Sequence, residues 1–570
     1  MPLSPATRPT KSKARTSLRP VWLFACLSLP ILAQAQTDET AARELQRQQE
    51  RERTVREREI RQPDVRIPTP APQERGPIPS ESPCFTIQRI QLIDPTGIFG
   101  WAQRTADEDT GRCLGSRGIN RLMARVQDAI IARGFVTTRV LAAPQDLRSG
   151  TLKLTIVPGR IHTIRFSEDS DERANAFNAV PAAPGDLLNL RDIEQALENF
   201  KRLPSAEADI EITPADAPGE SDVVITWKQG RPLRLTLSAD NSGARSTGRY
   251  QGSATLSGDN LLALNDIFYV SLNRDLGGGS SSDYGTRGHT VHYSLPLHYW
   301  TLGFTASANR YRQTVAGLNE DYLYSGTSEN YEARLSRVIY RDATNKTSAF
   351  LRAYLTKSAN FIDDVEVEVQ RRRMAGWEAG VQNRSFLGQA TLDLALAYRR
   401  GTGAFGSLHA PEEAFDEGTA RPVIITTNNS LDVPFEILGR QLRYAGTLRA
   451  QWNQTPLVPQ DRFSIGGRHT VRGFDGESVL MAERGWLIRN DLGLPIDGSD
   501  FEFYLGIDHG RVGGPSSDLL VGKRLTGAVI GLRGQYKAVS CDLLAGRPLA
   551  KPDGFQTDRH TFGFNLSITL

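Results

Sequence analysis

The stretch RHTVRGFDGE, residues 468–477, sets Arg472 between Val471 and the pair Gly473–Phe474, within a region otherwise made of alternating apolar and polar residues. A guanidinium held this way does ion-pair chemistry, because its planar fork matches a carboxylate with two parallel hydrogen bonds. The other chemically capable residues are scattered. The eight histidines form no H-E-x-x-H helix face and no Cys/His cluster, so no metal site is expected. A G-x-S-x-G nucleophile elbow is also missing. GTGAFG at 401–406 has the spacing of a dinucleotide-binding turn, but the polar, turn-rich SLHAPEEAFDEG follows it where a helix is required. It reads as a loop beyond a strand. No catalytic residue and no cofactor are predicted, and the chain is not expected to be an enzyme.

What positions Arg472 depends on the compartment. Arg8, Lys11, Lys13, Arg15 and Arg19 precede a short apolar run, Val21 to Leu32, and then Ala33-Gln34-Ala35. A basic start, a run too short to span a bilayer and an A-x-A ending are the parts of a signal peptide, expected over residues 1–35. Export places the remaining cysteines, Cys84, Cys113 and Cys541, in an oxidising compartment. There a Cys84–Cys113 disulfide is expected to close a loop within one small domain. Cys541 is left unpaired. The net charge of +3 over 570 residues gives no reason to expect nucleic acid. No stretch after the signal has the roughly 18 consecutive apolar residues of a membrane helix.

Residues 36–61 read as a polar helix with seven acidic and seven basic residues from 37 on. Glu39–Arg43, Glu52–Arg56 and Glu57–Arg61 stand at the favourable i,i+4 spacing. A helix polar all round belongs either in water or in a polar channel. Residues 62–82 form a Pro-rich, semi-rigid linker. Two small α/β units follow, over 83–159 and 160–230, each within the size range of domains that fold alone. The first has strands FTIQRIQLI, FVTTRVLAA and TLKLTIVPG around a helix at 119–134. The second has IHTIRF, ADIEITPA and SDVVITWKQ around a helix at 190–203.

From Arg231 to Leu570 the period changes to two. Trp300, Leu302, Phe304, Ala306 and Ala308 alternate with polar or small residues, as do Leu442 to Trp452 and Phe562 to Leu570. Such alternation marks strands with one apolar and one polar face. Runs of about 9 to 11 residues suit a tilted bilayer crossing, and Trp300, Trp452 and Trp486 stand where an interface girdle requires aromatics. The expected fold is a transmembrane β-barrel of about sixteen antiparallel strands at about 20 residues per strand and loop. It is preceded by the polar helix and the two α/β units.

This order, with GFVTTRV, LKLTIVPGRI and RLPSAEADIEITPADAPGESDVVI before the barrel and DNSG, SGDNLLALND, VRGF and AGRPLAKPDGF within it, resembles the TpsB transporters of two-partner secretion. These belong to the POTRA-barrel superfamily, whose POTRA (polypeptide-transport-associated) units match the two α/β units. The resemblance covers nearly the whole mature chain. It implies a Gram-negative outer-membrane transporter with POTRA domains in the periplasm. Its POTRA pair would recognise an unfolded exoprotein of adhesin, haemolysin or contact-dependent toxin type and pass it through the lumen. It implies as further partners outer-membrane lipid and the barrel-assembly machinery. The resemblance also implies that the loop at about 453–484 folds into the lumen, where Arg472 meets an aspartate of YLGIDHGRV, and that the polar helix plugs the resting pore. Parity independently turns Asp508 inward, because Phe501, Phe503, Leu505 and Ile507 share the lipid-type face. The family form of that strand motif often begins with Phe where Gly506 stands here. Terminal Leu570 likewise departs from the usual Phe. An outer-membrane barrel-assembly factor is the alternative reading, and a plain porin or adhesin anchor would leave the POTRA pair unexplained.

Overall fold

Alternation over residues 231–570 becomes one antiparallel sheet closed on itself. The computed structural model describes residues 22–60 (side chains from residue 41), 63–68, 79–280, 283–317 and 320–570. Among them, sixteen strands of 8 to 21 residues form the barrel. The first, Leu233–Asp240, pairs both with Tyr250–Asp259 and with the last, Thr561–Thr569. Leu570 completes this seam by exchanging main-chain hydrogen bonds with Leu235 at 2.9 and 3.1 Å. An apolar alternation running to the final residue therefore serves closure, which removes both sheet edges.

Parity decides the faces. Along Asp500–Gly513, Phe503, Leu505 and Ile507 are exposed outward while Glu502, Tyr504 and Asp508 are buried inside. The short turns, such as those at 298–299, 388–389 and 438–439, lie at the end where the second α/β unit enters the barrel. Longer connections, including 403–422 and 454–483, lie at the other end. Short turns mark the periplasmic rim. Trp300 opens its strand at that rim, whereas Trp452 and Trp486 sit at the opposite one, all three partly exposed. Several strands exceed a bilayer crossing: Asp321–Arg341 has 21 residues. Its ladder to Asn345–Ile362 continues past the hydrocarbon layer because cross-strand hydrogen bonds persist in water.

Each α/β unit packs one long helix on a three-stranded sheet, with a parallel pair and an antiparallel edge. In the first, the helix runs Ser116–Ala132, three residues earlier than its apolar periodicity starts. The extra turn is capped from outside: the Glu81 carboxylate accepts from the N–H groups of Gly115, Arg117 and Gly118 at 2.7–3.0 Å. The expected strand FVTTRVLAA shortens to Arg139–Leu141. Phe135 to Thr138 turn instead, and the Thr138 hydroxyl accepts from Gly159 N–H at 3.1 Å. Cys84 and Cys113 are disulfide-bonded, and Cys541 is free. In the second unit, Ile193, Leu197 and Phe200 of the helix Leu190–Lys201 pack on Val223, Ile225 and Trp227.

Trp22–Glu59 forms a single helix, so the polar segment is continuous with part of the apolar run rather than starting at residue 36. Residues 1–21 of the expected signal peptide, and Arg61, Gln62 and 69–78 of the expected helix end and linker, lie outside the described residues.

Candidate functional site

The barrel lumen holds two inserted elements, the N-terminal helix and the 454–483 loop. The helix meets several strands of the wall through its charged and polar residues. Arg56 pairs with Glu332 at 3.1 Å, Glu50 with Arg449 at 3.0 Å, and Glu59 accepts from Ser257 at 2.6 Å. Asn309 donates to Glu52 at 3.1 Å and Ser328 to Gln48 at 2.9 Å. Arg56 thus turns to the wall rather than relying on Glu52 within the helix, and Arg53 pairs with Glu57 at 2.7 Å. Inside a lumen, wall carboxylates compete well against intrahelical pairs worth only a few tenths of a kcal/mol.

The loop carries a short hairpin, Phe463–Ile465 with Leu480–Ala482, and the turn of residues 468–477 projects from it. Val471 and Phe474 are buried with Ile465, Leu480, Leu487, Val512 and Leu525. Phe474 meets Phe555 edge-to-face at 5.8 Å. Gly473 has φ +91°, and a Cβ there would lie 2.5 Å from the Arg547 carbonyl. Glycine alone fits both the conformation and the approach.

Arg472 is 3% exposed and Asp508 1%. The guanidinium donates through Nε and Nη2 to Asp508 at 2.7 Å each. Nη2 also donates closely to Asp491 Oδ1, and the remaining nitrogen, Nη1, reaches Asp491 Oδ2 at 3.3 Å. Arg533 then bridges Asp491 at 3.0 Å and Glu502 at 2.5 Å, while Arg489 lies 3.8 Å from Asp508. An Arg between two carboxylates, with further arginines behind them, is a nearly neutral buried network. Loss of one partner from such a network strands a charge, at a cost of about 3–5 kcal/mol.

Asp491 and Arg533 escaped the reading of the sequence. The signal was there in part: Asp491 shares the inward parity of Leu487 and Arg489 on Arg484–Pro495, and its register partner is Gly506. That register also accounts for Gly506. A Cβ there would lie 2.7 Å from both Arg472 Nη2 and Asp491 Oδ1, so the space a side chain would take at this position is filled by the guanidinium and the second carboxylate.

The loop and the helix are joined. Arg43 donates to the Glu477 carbonyl at 2.7 Å and Arg47 to the Gly476 carbonyl at 2.6 Å. Below them, residues 63–68 run between the second α/β unit and the barrel rim. Val65 and Ile67 N–H donate to Glu198 and Glu194 at 3.2 and 2.9 Å, and Arg341 binds both carboxylates. Asp64 pairs with Arg384 at 2.5 Å. Among the described residues no cluster of three or more His, Cys, Asp or Glu is arranged to hold a metal ion. Of residues 401–406, Gly401 and Thr402 end the barrel strand Ala390–Thr402 and Ala404–Gly406 form a short 3₁₀ segment.

Comparison with known proteins places this geometry among relatives. Residues 219–534 match the family described as haemolysin secretion/activation protein ShlB/FhaC/HecB, with a ShlB-type POTRA domain at 85–159 and a second POTRA domain at 160–214. The chain is 37% identical over 518 residues to the outer membrane transporter CdiB-2 of Burkholderia pseudomallei (strain 1026b), covering 87% of this chain and 88% of that protein. The solved structure of CdiB from Acinetobacter baumannii is similar with a TM-score of 0.82 at 29% identity, over 94% of this chain and 99% of that one. CdiB from Escherichia coli gives a TM-score of 0.81 at 26% identity, over 94% and 98%.

Proposed function

The chain belongs to the haemolysin secretion/activation protein family, and from that membership we propose how its parts perform transport. The protein is an outer-membrane transporter of the two-partner secretion type, with its POTRA domains in the periplasm, and it carries an exoprotein to the cell surface.

The structure is read as the resting state. One observation carries this: the helix and the 454–483 loop occupy one lumen and are hydrogen-bonded to each other through Arg43 and Arg47. A polypeptide passes only after the helix withdraws. The helix, over residues 36–61 once the signal peptide 1–35 is removed, is the plug, and the linker 62–82 is its tether. Arg472 with Asp508 and Asp491 is the lock that holds the loop against the wall while the plug leaves. Val471, Gly473 and Phe474 seat that lock.

An unfolded exoprotein of adhesin, haemolysin or toxin type binds the POTRA units, residues 83–159 and 160–230. Among the described residues the strand Ala206–Pro214 pairs on one side only, and its free edge accepts an extended client segment through main-chain hydrogen bonds. Folding of the exoprotein outside the cell drives passage. Outer-membrane lipid surrounds the barrel, and the barrel-assembly machinery inserts it.

The test is deletion of the gene in the source bacterium, followed by comparison of the medium and outer-membrane proteomes. Loss of one large exoprotein supports the reading and identifies the client. Depletion of many barrel proteins overturns it in favour of an insertion factor.

A further inference from the structure

We propose that Arg274, Arg287 and Arg310, on the outward face of the barrel near its extracellular rim, bind the phosphate groups of glycolipid headgroups in the outer leaflet. This rests on the outer-membrane placement but not on the plug and lock.

The three arginines are a row by register. Arg274 on Ile267–Gly277 pairs directly with Arg287 on Gly285–Leu297, which pairs directly with Arg310 on Trp300–Ala316. Adjacent strands lie about 4.8 Å apart, so three cations stand across roughly 10 Å of surface. All three are exposed. Like charges directly opposite one another destabilise a sheet, and no described residue pairs with them to offset this. None has a hydrogen bond or ion pair with a described residue. The nearest acidic groups are engaged elsewhere. Glu329 pairs with Lys357 at 3.0 Å, Asp283 with Arg312 at 3.0 Å, and Asp275, on the opposite face, accepts from Thr286 N–H at 3.1 Å. His289 is the outward neighbour one row below, paired with Leu272 and Ala308.

Height in the membrane selects the ligand. Outward positions on Trp300–Ala316 run Trp300, Leu302, Phe304, Ala306, Ala308 and only then Arg310. Ten residues of tilted strand rise about 25 Å, the height of the lipid-facing apolar band. Arg310 therefore stands where hydrocarbon ends and headgroups begin, on the cell-surface side. Anions at that level are headgroup phosphates, and arginine binds phosphate with paired hydrogen bonds.

The experiment titrates the purified full chain, in neutral detergent with EDTA, with bisphosphorylated lipid A, with the dephosphorylated lipid, and with inorganic phosphate. The wild type should bind the phosphorylated lipid far more tightly than the other two. Combined Arg274→Gln, Arg287→Gln and Arg310→Gln should weaken it on the order of a hundredfold, about fivefold per arginine. The corresponding triple lysine variant should retain most of the affinity. Folding is checked by the mobility of unboiled samples on gels. If the triple glutamine variant does not fold, Arg287→Gln alone should still lose about fivefold. Unchanged binding by the glutamine variants, or equal binding of the dephosphorylated lipid, would overturn the proposal. Inorganic phosphate competing at the lipid's own affinity would make this a free-anion site and overturn it equally.

Discussion

Arg472 gives three hydrogen bonds to one carboxylate: Nε and its own main-chain N–H both donate to Oδ2 of Asp508, at 2.7 and 2.9 Å, and Nη2 donates to Oδ1 at 2.7 Å. The side chain binds the wall, and the backbone of its turn is pinned to the same atom. Orientation of the loop and pairing of the charge are thus a single event.

Arg472→Ala should leave Asp508 and Asp491 facing each other with too few cations, destabilising the loop by about 3–5 kcal/mol. The barrel ladder does not depend on it, so the variant is expected to insert normally and to lose secretion. Arg472→Lys cannot span two carboxylates with a fork and should fall between. Exoprotein in the medium, set against the amount of barrel in the outer membrane, checks both. Full export by correctly inserted Arg472→Ala would remove the lock.

Gly506→Ala adds one methyl where a Cβ would lie 2.7 Å from the guanidinium and from Asp491. The fork must shift or one carboxylate must turn away. Secretion should fall toward that of Arg472→Ala, while alanine on the outward neighbours Leu505 or Ile507 should leave it unaffected. Equal secretion by all three would mean that the lock tolerates loosening.

Removal of residues 37–61 takes away the wall pairs of Glu50 and Arg56 and the tie between Arg47 and the Gly476 carbonyl. Conductance of the purified barrel in planar bilayers should rise. Conductance equal to that of the full chain would show that the helix is not what closes the pore.

Loss of the Cys84–Cys113 disulfide, which closes a sequence separation of 29 residues, should destabilise the first POTRA unit by about 3–4 kcal/mol. Barrel unfolding should not change. Thermal scans of the Cys84→Ser, Cys113→Ser double variant resolve the two transitions.

Glu81 gives a pH test. The N–H groups of Gly118, Arg117 and Gly115 hold its carboxylate below the ordinary glutamate range. A depressed carboxyl stabilises the fold above its unfolded value, about 4.3, and loses that effect as pH falls through the folded value. The gap in thermal midpoint between wild type and Glu81→Gln should therefore be present at pH 7 and shrink below about pH 4. A gap that does not vary with pH would assign the cap no charge component.

Much of the fold was legible because strand parity is local. Alternation at Trp300–Ala308 and Phe562–Leu570 marks the barrel, and the phase of Phe503, Leu505 and Ile507 alone turns Asp508 inward. The helix at 37–61 was harder. Its charges taken alone favour water over a channel, and the partners that decide, Glu332 and Arg449, lie hundreds of residues away.

By itself, then, the sequence determined the class of fold, the inward face of the strands whose alternation is strict and the presence of an arginine needing a carboxylate. Period-two patterning and Pro, Gly and charge placement act over a few neighbouring residues. Tertiary structure decided which carboxylates that arginine meets. Asp491 joins Asp508 only through the register that sets it opposite Gly506, and Phe474 finds Phe555 only when two loops fold together. Register and loop return are contacts between distant segments, chosen by the closure of the whole barrel, and no local pattern encodes them.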